Sequence, residues 1–155
     1  MHTLSGIIIG VGLALAACQP SLPASSVSPE SHIPQGFDTV MYADFNGDGT
    51  GDTVRTVTYG GKKGLVFTHG RTGDTWVAGA GKYFGAAGDD FGWVDHAHIV
   101  TPSEVEETTF YENGDVAGSR KVTLPNPGIF TGETEGGGGI IVWRKDKYEW
   151  IHQAD

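Results

Sequence analysis

A chain of 155 residues with one cysteine, 25 glycines and a formal net charge of −9 at neutral pH cannot form an intramolecular disulfide. Its acidic surface would be repelled by phosphate backbones and by anionic lipid headgroups, which argues against nucleic-acid binding. The length suits one domain of ordinary size once terminal segments are set aside.

Residues Leu4 to Ala17 are apolar and end in Leu15-Ala16-Ala17-Cys18. The stretch is too short to span a bilayer comfortably as a mature helix, and small residues before a cut are what a signal peptidase reads. The n-region holds His2 and neither Lys nor Arg. Residues 1–17 are therefore expected to be a signal peptide. Leu15 to Cys18 resembles the lipobox of bacterial lipoproteins, and the resemblance implies that Cys18 becomes the diacylated N-terminus. Gln19 stands where Asp would favour inner-membrane retention in such lipoproteins, so the implied address is the outer membrane, facing the periplasm. Lipidation would also remove a lone thiol that is unusual in an oxidising compartment. More than one acyl chain anchors stably, where a single chain is marginal. Residues 18–34 are dominated by Pro and Ser and read as a lipidated Cys followed by a disordered, semi-extended tether. Residues 35–155 are expected to form a single β domain.

The most informative stretch follows: Asp44-Phe45-Asn46-Gly47-Asp48-Gly49-Thr50-Gly51-Asp52. Oxygen-bearing side chains fall at every second position, with glycines between them. Ca²⁺ takes about six to eight oxygen ligands in a flexible loop, and glycine permits the positive-φ turns that wrapping requires. A plain Gly/Asp-rich turn needs one Asx-Gly pair and not such a ladder. The EF-hand template fails on two counts. Arg55 stands where the twelfth-position Glu belongs. The flanks, Phe37 to Tyr42 and Thr53 to Tyr59, are β-branched and aromatic, which signals strands. The stretch resembles the FG-GAP, or VCBS-type, repeat of integrin-like proteins, in which D-x-N-x-D-G-x-x-D joins two antiparallel strands and binds Ca²⁺. The resemblance implies that Asp44, Asn46, Asp48 and Asp52 ligate by side chain and Thr50 by its carbonyl.

Further along, short β-like runs alternate with Gly, Asp and Asn. They comprise Lys63 to Thr68, Asp74 to Ala78, Phe91 to Val100, Val105 to Tyr111 and Val116 to Leu124, with Asn113-Gly114-Asp115 closing a hairpin. Ile140 to Trp143 and Tyr148 to Ile151 make a final hairpin around Arg144 to Lys147. No stretch of about ten residues keeps a helical apolar period. The expected fold is all-β and mainly antiparallel: a small sandwich or blade-like stack of about eight or nine short strands. A full propeller is excluded by length and by the single occurrence of the ladder.

Three other clusters carry chemistry-bearing residues. Gly79 to Trp93 is glycine-rich, but Lys82 precedes Tyr83 and no helix pattern ensues, so it is not a phosphate-binding loop. Asp89 and Asp90 within it are either further cation ligands or solvated turn acids. His96 and His98 lie at i and i+2, on one face of a strand. That spacing suits a transition metal only if His69, His152 or a carboxylate completes the set. Trp143, Tyr148 and Trp150 are a candidate partner surface, for a sugar ring or an envelope protein, although such aromatics commonly close a core. Arg144, Lys145 and Lys147 stand beside them.

No Cys beyond Cys18 and no Gly-x-Ser-x-Gly elbow is present, and past the tether only Ser103 and Ser119 remain. The expected function is therefore non-catalytic: a lipid-anchored envelope protein with a Ca²⁺-stabilised β domain and a binding or scaffolding role. The second reading is an envelope inhibitor or ligand trap, such as a periplasmic lysozyme inhibitor, setting an acidic surface against a basic enzyme.

Overall fold

The computed structural model describes residues 40–153. The expected signal peptide, the expected lipidation of Cys18, the expected tether and the Phe37–Thr39 part of the first run lie outside the described residues.

The described residues are all-β, with ten strands in three antiparallel sheets. Strands β1 (Val40–Ala43), β2 (Asp52–Tyr59), β3 (Lys62–Thr68) and β4 (Thr75–Gly79) form a four-stranded meander. After a 3₁₀ turn at Gly85–Ala87 come β5 (His96–Val100), β6 (Glu104–Phe110), β7 (Val116–Thr123), β8 (Gly128–Gly132), β9 (Gly138–Arg144) and β10 (Lys147–Gln153). The second sheet has the order β10-β9-β8-β5, and β6 and β7 pair as a separate hairpin inserted between β5 and β8.

Alternation along each strand sets up the packing, because successive side chains point to opposite faces. In the first sheet Met41, Val54, Phe67 and Trp76 lie in one cross-strand row. In the second, Ile129, Ile141 and Trp150 form the facing row. These residues meet in one core with Phe45, Leu65, Phe91 and Tyr148, and the Phe67 and Tyr148 rings stack at 4.0 Å across the sheets. The second sheet is also covered on its other face, where Ile140, Val142 and Ile151 pack with Val122 and Leu124. Strand β9 therefore reads as a continuous apolar run, Gly138 to Val142 being wholly interior.

Two sequence expectations need amendment. The run Phe91 to Val100 is strand only from His96. Its first half turns, the Val94 N–H donating to the Phe91 carbonyl at 3.1 Å, so that Phe91 plugs the core at full burial. Strand β8 was not expected. Its ends are glycines forced by close approach: a Cβ on Gly128 would lie 2.6 Å from the Ile140 Cγ2, and one on Gly132 would lie 2.7 Å from the Phe130 Cε1. Among the described residues there is no helix long and apolar enough to cross a membrane.

Candidate functional site

The ladder is the connection between β1 and β2, which pair from Val40–Arg55 to Ala43–Asp52. Gly47 and Gly49 take φ of 75° and 83°, the left-handed region in which a Cβ would be strained. These turns fold the loop back over its own side chains. Asp44 Oδ1 accepts the N–H groups of Gly47 and Asp48 at 2.8 and 3.0 Å, and Oδ2 accepts that of Gly49 at 2.8 Å. Asp48 Oδ1 accepts the Thr50 N–H at 2.8 Å, and its Oδ2 accepts Asn46 Nδ2–H at 3.1 Å. Asn46 Oδ1 in turn accepts the Asp48 N–H at 3.0 Å. Against the upward push of desolvation, the hydrogen bonds from Asn46 and Thr50 and the charge of Arg71 hold the Asp48 carboxyl below the usual carboxylate range.

Asp52 differs from the others. It is wholly buried, and its Oδ2 accepts the N–H groups of Phe45 and Asn46 at 2.9 and 3.2 Å. Its Oδ1 reaches across to the β3–β4 turn and accepts the Gly70 N–H at 2.8 Å. That contact requires glycine, since a Cβ on Gly70 would meet the Gly51 carbonyl oxygen at 2.0 Å. The next residue, Arg71, lays its guanidinium on the ladder. Nη2 donates to the Asp48 carbonyl at 2.5 Å, Nε to Thr50 Oγ1 at 3.4 Å, and Nε lies 3.7 Å from Asp48 Oδ2. Asn126, from the β7–β8 connection, packs against Gly47 and donates to the Trp143 carbonyl at 3.3 Å. Neither Arg71 nor Asn126 carries any spacing relative to the ladder, so sequence reasoning had no signal for them.

Below the loop lies an aromatic cluster. His69 is buried, with its ring 4.0 Å from Trp76 and 4.7 Å from Trp143, and its Nε2 shares a 3.0 Å hydrogen bond with the Tyr148 hydroxyl. Burial and the nearby Asp52 charge push the Tyr148 phenol well above its usual value. Of the candidate partner surface, then, Trp143 and Tyr148 face this interior cluster, and half-buried Trp150 packs over Gly139.

The remaining candidates fall elsewhere. Asp89 pairs with Lys62, and Asp90 Oδ1 accepts the N–H groups of Lys63 and Gly92, both at 2.9 Å. Those two backbone bonds keep the Asp90 carboxyl below its usual range. Both acids thus brace the far end of the β2–β3 hairpin from the ladder. His96 and His98 stand on the edge strand β5 with nearly parallel rings 6.4 Å apart, both against Phe130. His96 Nδ1 bonds Asp95 Oδ1 at 2.6 Å; His69 lies in the aromatic cluster, and His152 meets Phe110 at 4.9 Å.

Among the described residues no three or more His, Cys, Asp or Glu side chains are grouped to hold a metal, the ladder's aspartates included. The ladder's donors fit a hard cation in kind, being all oxygen. Their arrangement is that of a loop closed by its own N–H groups with Arg71 as the adjacent positive charge. Ligation at Asn46 needs its amide turned over, because Nδ2 faces the Asp48 carboxylate while Oδ1 is taken by the Asp48 N–H.

A second concave feature runs along β10, between the 3₁₀ turn and β6. It is an open groove of about 530 Å³ whose lining includes Phe84, Phe110, Arg144, Lys147, Glu149 and Trp150. Arg144 holds Glu149 Oε2 through Nε and Nη2 at 3.0 and 2.7 Å, and Lys147 holds Oε1 at 3.1 Å. Against the desolvation of its site, these two cations keep the Glu149 carboxyl low.

The described residues thus form an all-β unit of two stacked four-stranded antiparallel sheets with an added hairpin, an aspartate ladder between β1 and β2 and a mixed-charge groove along β10. Compared with protein-family models, with curated proteins and with solved structures, the chain matches none.

Proposed function

We propose that this chain is a lipid-anchored, non-catalytic binding module of the bacterial cell envelope whose β domain is closed by Ca²⁺ at the ladder. The observation that supports the reading is the ladder itself. Nine residues carry Asp44, Asn46, Asp48, Thr50 and Asp52 on one connection between two antiparallel strands, and the last of them is buried and tied to a second turn. Asp44, Asn46, Asp48 and Asp52 would hold the ion by side chain and Thr50 by its carbonyl. The ion would neutralise the crowded carboxylates and fasten the loop. Arg71, which supplies positive charge to the same loop, would be displaced.

Thermal melts of the parent and of Asp48→Ala, each in Ca²⁺ and in EDTA, test the ladder. An ion that binds only the native state adds about 2.7 kcal/mol at a hundred times its dissociation constant, or several degrees of melting temperature for a domain of this size. The parent should gain that stability in Ca²⁺ and Asp48→Ala should not. Arg71→Gln should tighten Ca²⁺ binding, since the competing guanidinium is gone. A parent whose melting temperature ignores EDTA overturns the calcium reading.

A further inference from the structure

We propose that the groove along β10 binds a short oligosaccharide carrying carboxylates, such as an oligouronate. The proposal rests on the reading of the chain as a binding module and is independent of the cation at the ladder. The groove volume of about 530 Å³ lies in the usual range of ligand sites, about 300–1,000 Å³, and takes a di- or trisaccharide.

The lining has two layers. Phe84, Phe110 and Trp150 offer aromatic surface, and Tyr83 adds a ring that is 79% exposed at the rim. Such rings suit the C–H faces of a pyranose, whose edges carry hydroxyls. Between them lie the ion pairs. A flat apolar ligand would desolvate those charges without replacing their water, a net cost. A polyhydroxylated ligand returns hydrogen bonds to them.

The accessibility of the pairs decides the ligand's charge. The Glu107 and Glu149 side chains are only 16% and 20% exposed, while their partners Arg120 and Lys147 are 64% and 65% exposed. The two carboxylates sit beneath with Arg144, itself 26% exposed, and Arg120 and Lys147 lie on top. A ligand therefore meets N–H donors, on a protein whose net charge is −9. Charge-assisted bonds to a ligand carboxylate are about twice as strong as neutral ones. Strand addition by a peptide is disfavoured because β6 closes the end of β10. Gln153 Nε2 donates to the Glu106 carbonyl at 2.6 Å, and Phe110 packs on His152 at 4.9 Å.

Calorimetric titration of the full chain with trigalacturonate tests this, with maltotriose as the neutral control and triglutamate as the acidic peptide control. Trigalacturonate should bind, and maltotriose should bind at least about tenfold more weakly. Arg120→Gln and Lys147→Gln, both at exposed ends, should each weaken trigalacturonate by about tenfold, and Tyr83→Ala should weaken both sugars. The proposal is overturned by no binding at millimolar trigalacturonate, by equal maltotriose binding, by tighter triglutamate binding, or by indifference to the two cation substitutions. Each titration is run in Ca²⁺ and in EDTA beside a melt in the same buffer. A Ca²⁺-dependent melt without sugar binding removes this inference alone, and sugar binding without a Ca²⁺-dependent melt removes the ladder reading alone.

Discussion

Asp52 should be the most costly position of the ladder to alter, even with no metal present. It is wholly buried and accepts three backbone N–H groups, from Phe45, Asn46 and Gly70. Asp52→Ala leaves all three donors in the interior, each at about 1–3 kcal/mol. Some relief comes from local adjustment and from water entering the space of the lost carboxylate, so about 4 kcal/mol is expected, at the upper end of single substitutions. Asp52→Asn keeps one acceptor oxygen and turns an NH₂ group toward either Gly70 or the Phe45–Asn46 pair, for about half that loss. Asp44→Ala also frees three N–H groups, but its side chain is only partly buried and water replaces it, for about 1 kcal/mol. Urea unfolding in EDTA measures all three without any contribution from a cation. With m of about 1–3 kcal/mol/M, Asp52→Ala should lower the midpoint by about 2 M at unchanged slope. A loss below about 1 kcal/mol, or one no larger than that of Asp44→Ala, refutes the argument that Asp52 is the structural member of the loop.

Two more outcomes follow from side chains away from the ladder. The Asp95 carboxyl is held down to about 2 by the hydrogen bond from His96, helped by the N–H and hydroxyl of Thr134. A depressed carboxyl stabilises the fold above its unfolded value, near about 4, and loses that contribution as pH falls through the folded value. Carboxyl NMR should place its midpoint near 2, Thr134→Ala should raise it, and Asp95→Asn should flatten the stability profile across that acid window. Thr131 is wholly buried, and its hydroxyl is the one buried side-chain polar atom among the described residues without a hydrogen-bond partner. Thr131→Val replaces that hydroxyl with a methyl and should stabilise by about 1 kcal/mol, seen as a melting temperature several degrees higher.

Much of the fold could be read from the sequence where strands carry β-branched residues and end in turn formers. Thr53 to Tyr59 and Lys63 to Thr68 fall almost wholly on β2 and β3, and Asn113-Gly114-Asp115 does close the β6–β7 hairpin, with Gly114 at a φ of 89°. The failures have one physical source, which is packing against partners distant in the chain. Gly128-Ile129-Phe130-Thr131-Gly132 holds only three strand formers, between two glycines that locally favour a turn. It is a strand because its glycines admit β9 at close range. Phe91 to Val94 has the composition of a strand and is a turn, because Phe91 is anchored by its N–H to the Lys63 carbonyl at 2.9 Å and fills the core.

The same distinction divides the two candidate sites. The ladder's oxygens are local: Asp44, Asn46, Asp48, Thr50 and Asp52 occupy one connection, so their period of two is visible before any fold is known. What the period cannot express is that they do unequal work. Asp44 and Asp48 face their own loop, whereas Asp52 secures the β3–β4 turn, through a glycine that tolerates no side chain. That turn also carries His69 into the aromatic cluster and Arg71 onto the ladder. The groove is assembled in the opposite way. Its rim, walls and ion pairs come from the 3₁₀ turn, β6, β7 and the β9–β10 hairpin, segments with no shared spacing. Of the groove's aromatics, sequence singled out Tyr148 and Trp150, and only as two of three on a hairpin. Register then separates them: Trp143 opposes Tyr148, and Trp150 opposes Ile141. The first pair is drawn toward His69 by ring contacts and a hydrogen bond, with Tyr148 still bordering the groove, while Trp150 packs on the core and lines the groove beside it. A surface built from side chains of four segments becomes readable only when strand pairing has fixed which of them share an edge.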